Sequence, residues 1–164
     1  MSDSLKQVDT DSTTLSVIRN FLLILFLLGM IGIGSELLLI GHTEEKFQLV
    51  PLVLMGFSLV VVVWFFAGGG AVTLRILQPT MILFIMSGFT GLWLHYKVNA
   101  EFEQEMYPSL GGLDLFWEAI KGSTPSTLAP GTMILLGLIG LAFTYNHPIL
   151  SAASKRRRKT IGKV

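Results

Sequence analysis

The chain of 164 residues contains no cysteine. This absence excludes disulfide bonds, thiol redox chemistry, thiolate metal sites and cysteine nucleophiles together. Charge is also scarce, at 14% of residues against about 25% in a typical soluble domain. The sequence lacks the GxSxG, HExxH and phosphate-loop motifs that mark common enzyme sites. We therefore expect that the protein is not an enzyme.

Long apolar runs take the place of the missing charges. A helix needs about 20 mainly apolar residues to cross a bilayer. Four segments of the chain meet this requirement: 21–41, 47–67, 76–96 and 128–146. The sequence therefore predicts an all-α membrane protein, in which a four-transmembrane-helix bundle carries a short amphipathic interfacial helix in its second outer loop.

The ends of the chain differ in composition from the apolar centre. We expect a disordered cytoplasmic N-terminus over 1–16, a transmembrane domain over 17–149 and a basic cytoplasmic tail over 150–164, which is disordered after Ser151. The first apolar run follows about twenty residues that contain acids, and it resumes past Glu36. Both features favour a retained membrane anchor over a cleaved signal peptide.

The basic residues predict the orientation of the spans. With four spans, both termini lie on the same side as the second connection, 68–75. That side carries nine of the twelve lysines and arginines, and the opposite side carries eight of the eleven acids. Basic residues concentrate on the cytoplasmic side of membrane proteins. We therefore expect both termini to face the cytoplasm.

The outer segment 97–127 is the largest region predicted to lie outside the bilayer. Its stretch 113–121 is short and amphipathic, so it suits the membrane surface or a cap on the helices. The residues on its apolar face are Leu113, Phe116, Trp117 and Ile120. Nearer the third span, glutamates at 101, 103 and 105 alternate with Phe102, Gln104 and Met106, which favours an extended or turning segment.

One carboxylate interrupts the first apolar run. Glu36 lies five residues before the end of that run, about 7–8 Å below its end at the rise of an α-helix. An ionisable residue at this depth is a functional candidate, and His42 and His95 fall at the outer ends of spans. These three residues form a candidate ion or proton site. The alternative is that Glu36 bonds to a hydroxyl or a histidine near the headgroups.

A metal site on the outer face has weaker support. Imidazole and carboxylate are suitable ligands for several transition metals, and the candidate set is His42, Glu45, His95 and Glu101. Ligands on one helix are normally spaced three or four residues apart, and His95 has no carboxylate at those positions. An ordinary solvated collar of acids explains the same residues. A single outer haem has equally weak support, and no cofactor is expected.

Small residues mark faces on which helices can approach closely. They occur in the first, third and fourth runs as Gly29, Gly32, Ser87, Gly91, Gly137 and Gly140. These positions suit either the seam between helices of one chain or a docking face for another subunit.

A basic run follows the fourth span at Lys155, Arg156, Arg157, Arg158 and Lys159. Its position makes it a determinant of topology and a contact for anionic lipid. Nucleic acid is not an expected partner, because no aromatic-rich binding fold accompanies the run.

These observations favour a small integral membrane protein that acts through interactions, as an accessory, assembly or sensing subunit. Its expected partners are the bilayer and another membrane protein or a second copy. The alternative is a small transporter or a proton- or cation-coupled protein that uses Glu36 with His42 and His95. With four predicted spans in a short chain, the protein resembles the small multidrug-resistance transporters. Those proteins carry an essential glutamate in the middle of the first helix, whereas Glu36 lies near the end of the first span.

Overall fold

The computed structural model describes residues 2–41, 46–121 and 128–161. Within those ranges the protein is helical and contains no strand. The order of elements is α1 (Ser2–Leu39), α2 (Leu49–Trp64), a π-helical turn (Phe65–Gly69), α3 (Gly70–Met106), α4 (Gly112–Lys121), α5 (Leu128–Thr144) and α6 (Pro148–Ile161).

Two helical stretches are long and apolar enough to cross a membrane, Ser12–Leu39 and Leu49–Met106. A third is added if α5 and the first part of α6, bent by 51° from each other, are taken as one span. Many large apolar side chains on these stretches are exposed, among them Ile31, Val60 and Phe66, as expected of a surface in contact with lipid. The predicted all-helical fold and membrane location are confirmed at this level.

The stretch Leu49–Met106 is interrupted at its glycines. Gly68 and Gly70 have φ values of 101° and 58°, a region that glycine adopts without the steric penalty of a Cβ. α2 packs against α3 on the two sides of this break. The helical stretch is therefore kinked at these glycines, and α3 begins at Gly70 rather than at Ile76, where the third span was predicted to start.

α5 packs against both α3 and α1. It runs antiparallel to α3, because Pro130 at its start lies against Gly91, whereas Gly140 near its end lies against Met81. The backbones approach closely at Gly137, where an added Cβ would lie 2.8 Å from the carbonyl oxygen of Met81. Glycine permits this approach, as it does in many membrane helix pairs.

The buried core lies where α1, α2, α3 and α5 meet. Phe26 of α1 contacts Phe84 of α3 with ring centroids 6.1 Å apart, and both rings are fully buried. Leu74, Met81 and Leu136 are buried in the same cluster. The core therefore joins residues that are far apart in the sequence.

Both ends of the chain are more helical than expected. α1 begins at Ser2 and α6 continues to Ile161, whereas 1–16 and the tail after Ser151 were expected to be disordered. In α1 the first glycine is Gly29 and there is no proline, so nothing in its earlier turns breaks a helix. In α6 the basic residues of the last turn stabilise the helix, because they lie at the negative end of its dipole.

The alternating acids after the third span also lie on a helix. α3 continues to Met106, so the expectation of an extended segment over Glu101–Glu105 was wrong. Lys97 and Glu101 form an i, i+4 ion pair with a 3.6 Å separation, and no proline occurs between Glu101 and Pro108. Pairs of opposite charge four residues apart are compatible with a helix.

Candidate functional site

α3 extends well beyond the helices that surround its first part. Its 37 residues span about 55 Å at 1.5 Å per residue, whereas the hydrocarbon core of a bilayer is about 30 Å thick. α5 begins beside Gly91, so the later turns of α3 project past it. α4 folds back and packs against this projection. We call residues 93–121 the α3–α4 hairpin.

A buried hydrogen bond and a ring contact fix α4 on α3. The side-chain amide of Asn99 donates to the carbonyl oxygen of Ala119 at 3.0 Å, and the two residues are only 3% and 1% exposed. Tyr96 contacts Phe116 with ring centroids 5.8 Å apart. Trp93 and Trp117 extend this contact into a row of four aromatic rings. The position of α4 along α3 is therefore well defined.

The apolar face predicted for α4 is left exposed by this packing. Leu113 is 75% exposed and Trp117 is 56% exposed, while the small residue Ala119 faces α3. Ile120 is also exposed, and Phe116 is exposed except where its ring meets Tyr96. An exposed group of large apolar side chains on an ordered helix is typical of a surface that contacts protein or membrane.

The α3 half of the hairpin carries a second exposed apolar row. Val98, Phe102 and Met106 are all exposed, and their spacing of four residues places them on one side of the helix. The exposed charges Lys97, Glu101, Glu118 and Lys121 pair within their own helices. Exposed pairs of this kind contribute little to stability. The apolar rows are therefore the distinctive feature of the hairpin.

Glu36 lies on the outside of α1. Its side chain is exposed, whereas the neighbouring Leu37 is buried in the core. Within the described ranges, no hydrogen bond or ion pair of the Glu36 side chain is observed. His42 and Glu45, the other first-loop members of the predicted sites, lie outside the described residues. The structure thus places the Glu36 side chain outside the core.

His95 is half-buried on α3, and its Nδ1 atom is buried without a hydrogen-bond partner. No hydrogen bond or ion pair among the described residues joins it to Glu36. The same part of the chain contains no group of three or more histidine or acidic side chains that could hold a metal ion. Glu101, a proposed metal ligand, is instead the partner of Lys97.

The opposite end of the molecule is basic and is closed by the turn between α5 and α6. Arg19 of α1 donates through Nη2 to the carbonyl oxygen of Asn146 at 3.2 Å, and Asn146 has a positive φ of 45°. Asparagine is one of the few residues that adopts this conformation after a helix. We call this the basic end, defined by Arg19, Asn146 and α6.

His147 is buried at the basic end among aromatic rings. The rings of Phe65 and Phe143 lie 6.0 and 5.5 Å from its imidazole, and its Nδ1 accepts a hydrogen bond from the Ile149 amide at 3.3 Å. Burial, followed by the nearby Arg19 guanidinium, lowers the pKa of His147 from its usual value of 6.5. The imidazole is therefore a neutral packing element near pH 7.

The small residues singled out in the sequence fall into two groups. Gly29, Gly91, Gly137 and Gly140 lie against residues of other helices of the same chain, whereas Gly32 faces open space. Ser87 is half-buried on α3. Most of these positions thus line seams within the chain, and Gly32 lies on an uncovered side of α1.

Three residues that hold the hairpin and the basic end in place were not predicted from the sequence. For Asn99 the sequence offers one indication, which is an amide side chain in the helical turns that follow an apolar span. Asn146 has a clearer one, because asparagine followed closely by proline is typical of a helix end. Arg19 has none, since its partner lies 127 residues away.

No protein-family model matches the chain, and neither the curated proteins nor the solved structures contain a significant match. The class is therefore defined by the fold alone, as an all-helical protein with membrane-spanning helices.

Proposed function

We propose that the protein is a small integral membrane protein with four spans, formed by α1, α2, α3 and α5. The bend at Gly68–Gly70 and the packing of α2 on α3 support two spans in the stretch Leu49–Met106. The antiparallel packing of α5 on α3 supports a fourth. The basic end then faces the cytoplasm and the α3–α4 hairpin faces the other side, following the distribution of lysine and arginine.

Its function is to bind another membrane protein, as an accessory, assembly or sensing subunit, and the α3–α4 hairpin is the contact surface. One observation supports this role above the others: Asn99 and Tyr96 hold α4 in place while Leu113 and Trp117 remain exposed. A pre-organised surface loses little entropy on binding. Tryptophan is also among the residues that contribute most binding energy at interfaces.

Co-purification in mild detergent tests this proposal. The parent protein is expected to purify with a partner, and Trp117→Ala is expected to lower the recovery of that partner by about tenfold, since hot-spot truncations exceed about 1.4 kcal/mol. Trp64→Ala is the matched control, because Trp64 is an exposed tryptophan at the far end of α2. Purification of the parent as a lone monomer would rule out the proposed role.

An ion-coupling role through Glu36 has less structural support. A coupling carboxylate normally faces a cavity or the interior of the helices, whereas the Glu36 side chain is exposed on the outside of α1. A liposome flux assay of the parent and Glu36→Gln proteins separates the two functions. We expect no flux that depends on Glu36.

A further inference from the structure

An open groove of roughly 410 Å³ lies at the basic end, along one side of α6. Its lining is formed by the turn before α6 and by side chains spaced three or four residues apart: Asn146, Leu150, Ser151, Ser154, Lys155 and Arg158. Residues at these intervals share one face of a helix. The groove is therefore a property of the folded helix and not merely of a basic sequence.

The polar lining of the groove has the composition of a phosphate site. Lys155 and Arg158 supply two cations, and Ser154 supplies a hydroxyl group that can donate a hydrogen bond. Arginine binds phosphate oxygens with two parallel N–H groups, and lysine adds a compact positive charge. No acidic residue lines the groove within the described ranges, so nothing there repels an anion.

The groove begins at the turn between α5 and α6, where contacts of Asn146 fix its shape. Arg19 of α1 bonds to the Asn146 carbonyl oxygen, and the Ser151 hydroxyl lies 3.5 Å from the Asn146 side-chain oxygen. α6 is bent by 51° from α5 at this turn. The groove thus begins beside the last turn of an apolar span, and Leu150 gives it an apolar wall.

We propose that this groove binds an anionic phospholipid, with the phosphate between Lys155 and Arg158 and the upper acyl chain along Leu150. The inference rests on the placement of α5 as a span in the proposed function, but not on the α3–α4 hairpin or its partner. Both the charged and the apolar parts of the groove are used by a lipid, whereas a water-soluble phosphate uses only the charged part.

The test is the thermal unfolding of the full chain in detergent, with added lipid. Phosphatidylglycerol is expected to raise the midpoint by roughly 2–4 °C, because a ligand that binds only the folded state stabilises it. Phosphatidylcholine and glycerol phosphate are expected to leave the midpoint unchanged. An equal rise with phosphatidylcholine would overturn the anionic site, and an equal rise with glycerol phosphate would overturn the lipid as its ligand.

Two lysines on α6 provide matched variants. Lys155→Gln is expected to remove at least half of the rise with phosphatidylglycerol, whereas Lys159→Gln, with the same loss of charge outside the groove, is expected to retain it. Ser154→Ala, a small change at an exposed residue, gives a second variant if Lys155→Gln fails to fold, and it too is expected to lower the rise. Equal losses in the two lysine variants, or no loss with Ser154→Ala, would overturn the proposal.

Discussion

The side-chain amide of Asn99 bonds to the backbone carbonyl of Ala119 across the two helices of the hairpin, at 3.0 Å. Ala119 lies in the last turn of α4, where carbonyl groups have no partner within the helix. Asn99 supplies that partner from α3, and both residues are buried. One side chain therefore satisfies the end of α4 and sets its position against α3.

Replacing Asn99 is expected to loosen α4 without unfolding the spans. Asn99→Ala leaves the buried Ala119 carbonyl unpaired, which costs about 1–3 kcal/mol. Amide hydrogen exchange over 112–121 should then become faster, while exchange in α5 stays unchanged. Asn20→Ala, at an exposed asparagine on α1, is the control. Unchanged exchange in α4 would show that the bond does not hold the hairpin together.

Two glycine-to-alanine changes are expected to have opposite effects on stability, because one glycine lies in the seam between α3 and α5 and the other lies outside it. Gly137→Ala places a Cβ 2.6 Å from Ile85 Cγ1 and 2.8 Å from the Met81 carbonyl oxygen, so we expect a loss of about 1–3 kcal/mol. At Gly32, an added Cβ meets nothing within 4 Å, and alanine favours helix by about 1 kcal/mol. Thermal unfolding in detergent measures both. Equal destabilisation by the two variants would contradict the observed seam.

His147 predicts a loss of stability in mild acid. Its pKa is lowered in the folded protein, so the unfolded chain binds a proton first as the pH falls. The stabilisation is complete above the unfolded pKa of about 6.5 and declines as the pH falls toward the lowered native value. His147→Phe should reduce the difference between unfolding midpoints at about pH 7.5 and about pH 5.5.

The other two histidines remain in that variant, so the comparison isolates His147. Phenylalanine also keeps a ring between Phe65 and Phe143, which preserves most of the packing. An identical pH dependence in the parent and the variant would show that His147 does not control stability in this range.

Glu36 is expected to contribute little to the stability of the isolated protein. Its exposed side chain makes no observed pair within the described residues, and changes at such positions are usually within about 0.5 kcal/mol. Glu36→Gln should therefore leave the unfolding midpoint within roughly 2 °C of the parent value. A much larger fall would show that the carboxylate has a partner within the folded chain.

Apolar runs in the sequence identify where α1, α2, α3 and α5 lie, and the pattern at 113–121 identifies α4 almost to the residue. These features are local, so composition and periodicity are enough to find them. The end of α3 was harder to predict. Alternating glutamates over 101–105 suggested an extended segment, yet the helix continues to Met106 and places Lys97 beside Glu101.

The positioning contacts could not be predicted in the same way. Asn99 meets a backbone carbonyl, so no side-chain type on α4 reveals it. Arg19 and Asn146 come together only when α1 and α5 pack side by side. The sequence also placed His95 and Glu36 in one candidate site because both fall near the outer ends of spans. Depth alone does not set the direction of a side chain, and Glu36 points outward.

The most direct test is photo-crosslinking in native membranes, with a photoreactive residue at position 117 and, as the control, at position 64. If the α3–α4 hairpin binds a membrane partner, position 117 gives a discrete protein adduct and position 64 does not. Asn99→Ala should weaken the adduct at position 117, because α4 then loses its fixed position. No protein adduct at position 117, or equal adducts at both positions, would contradict the proposed interaction surface.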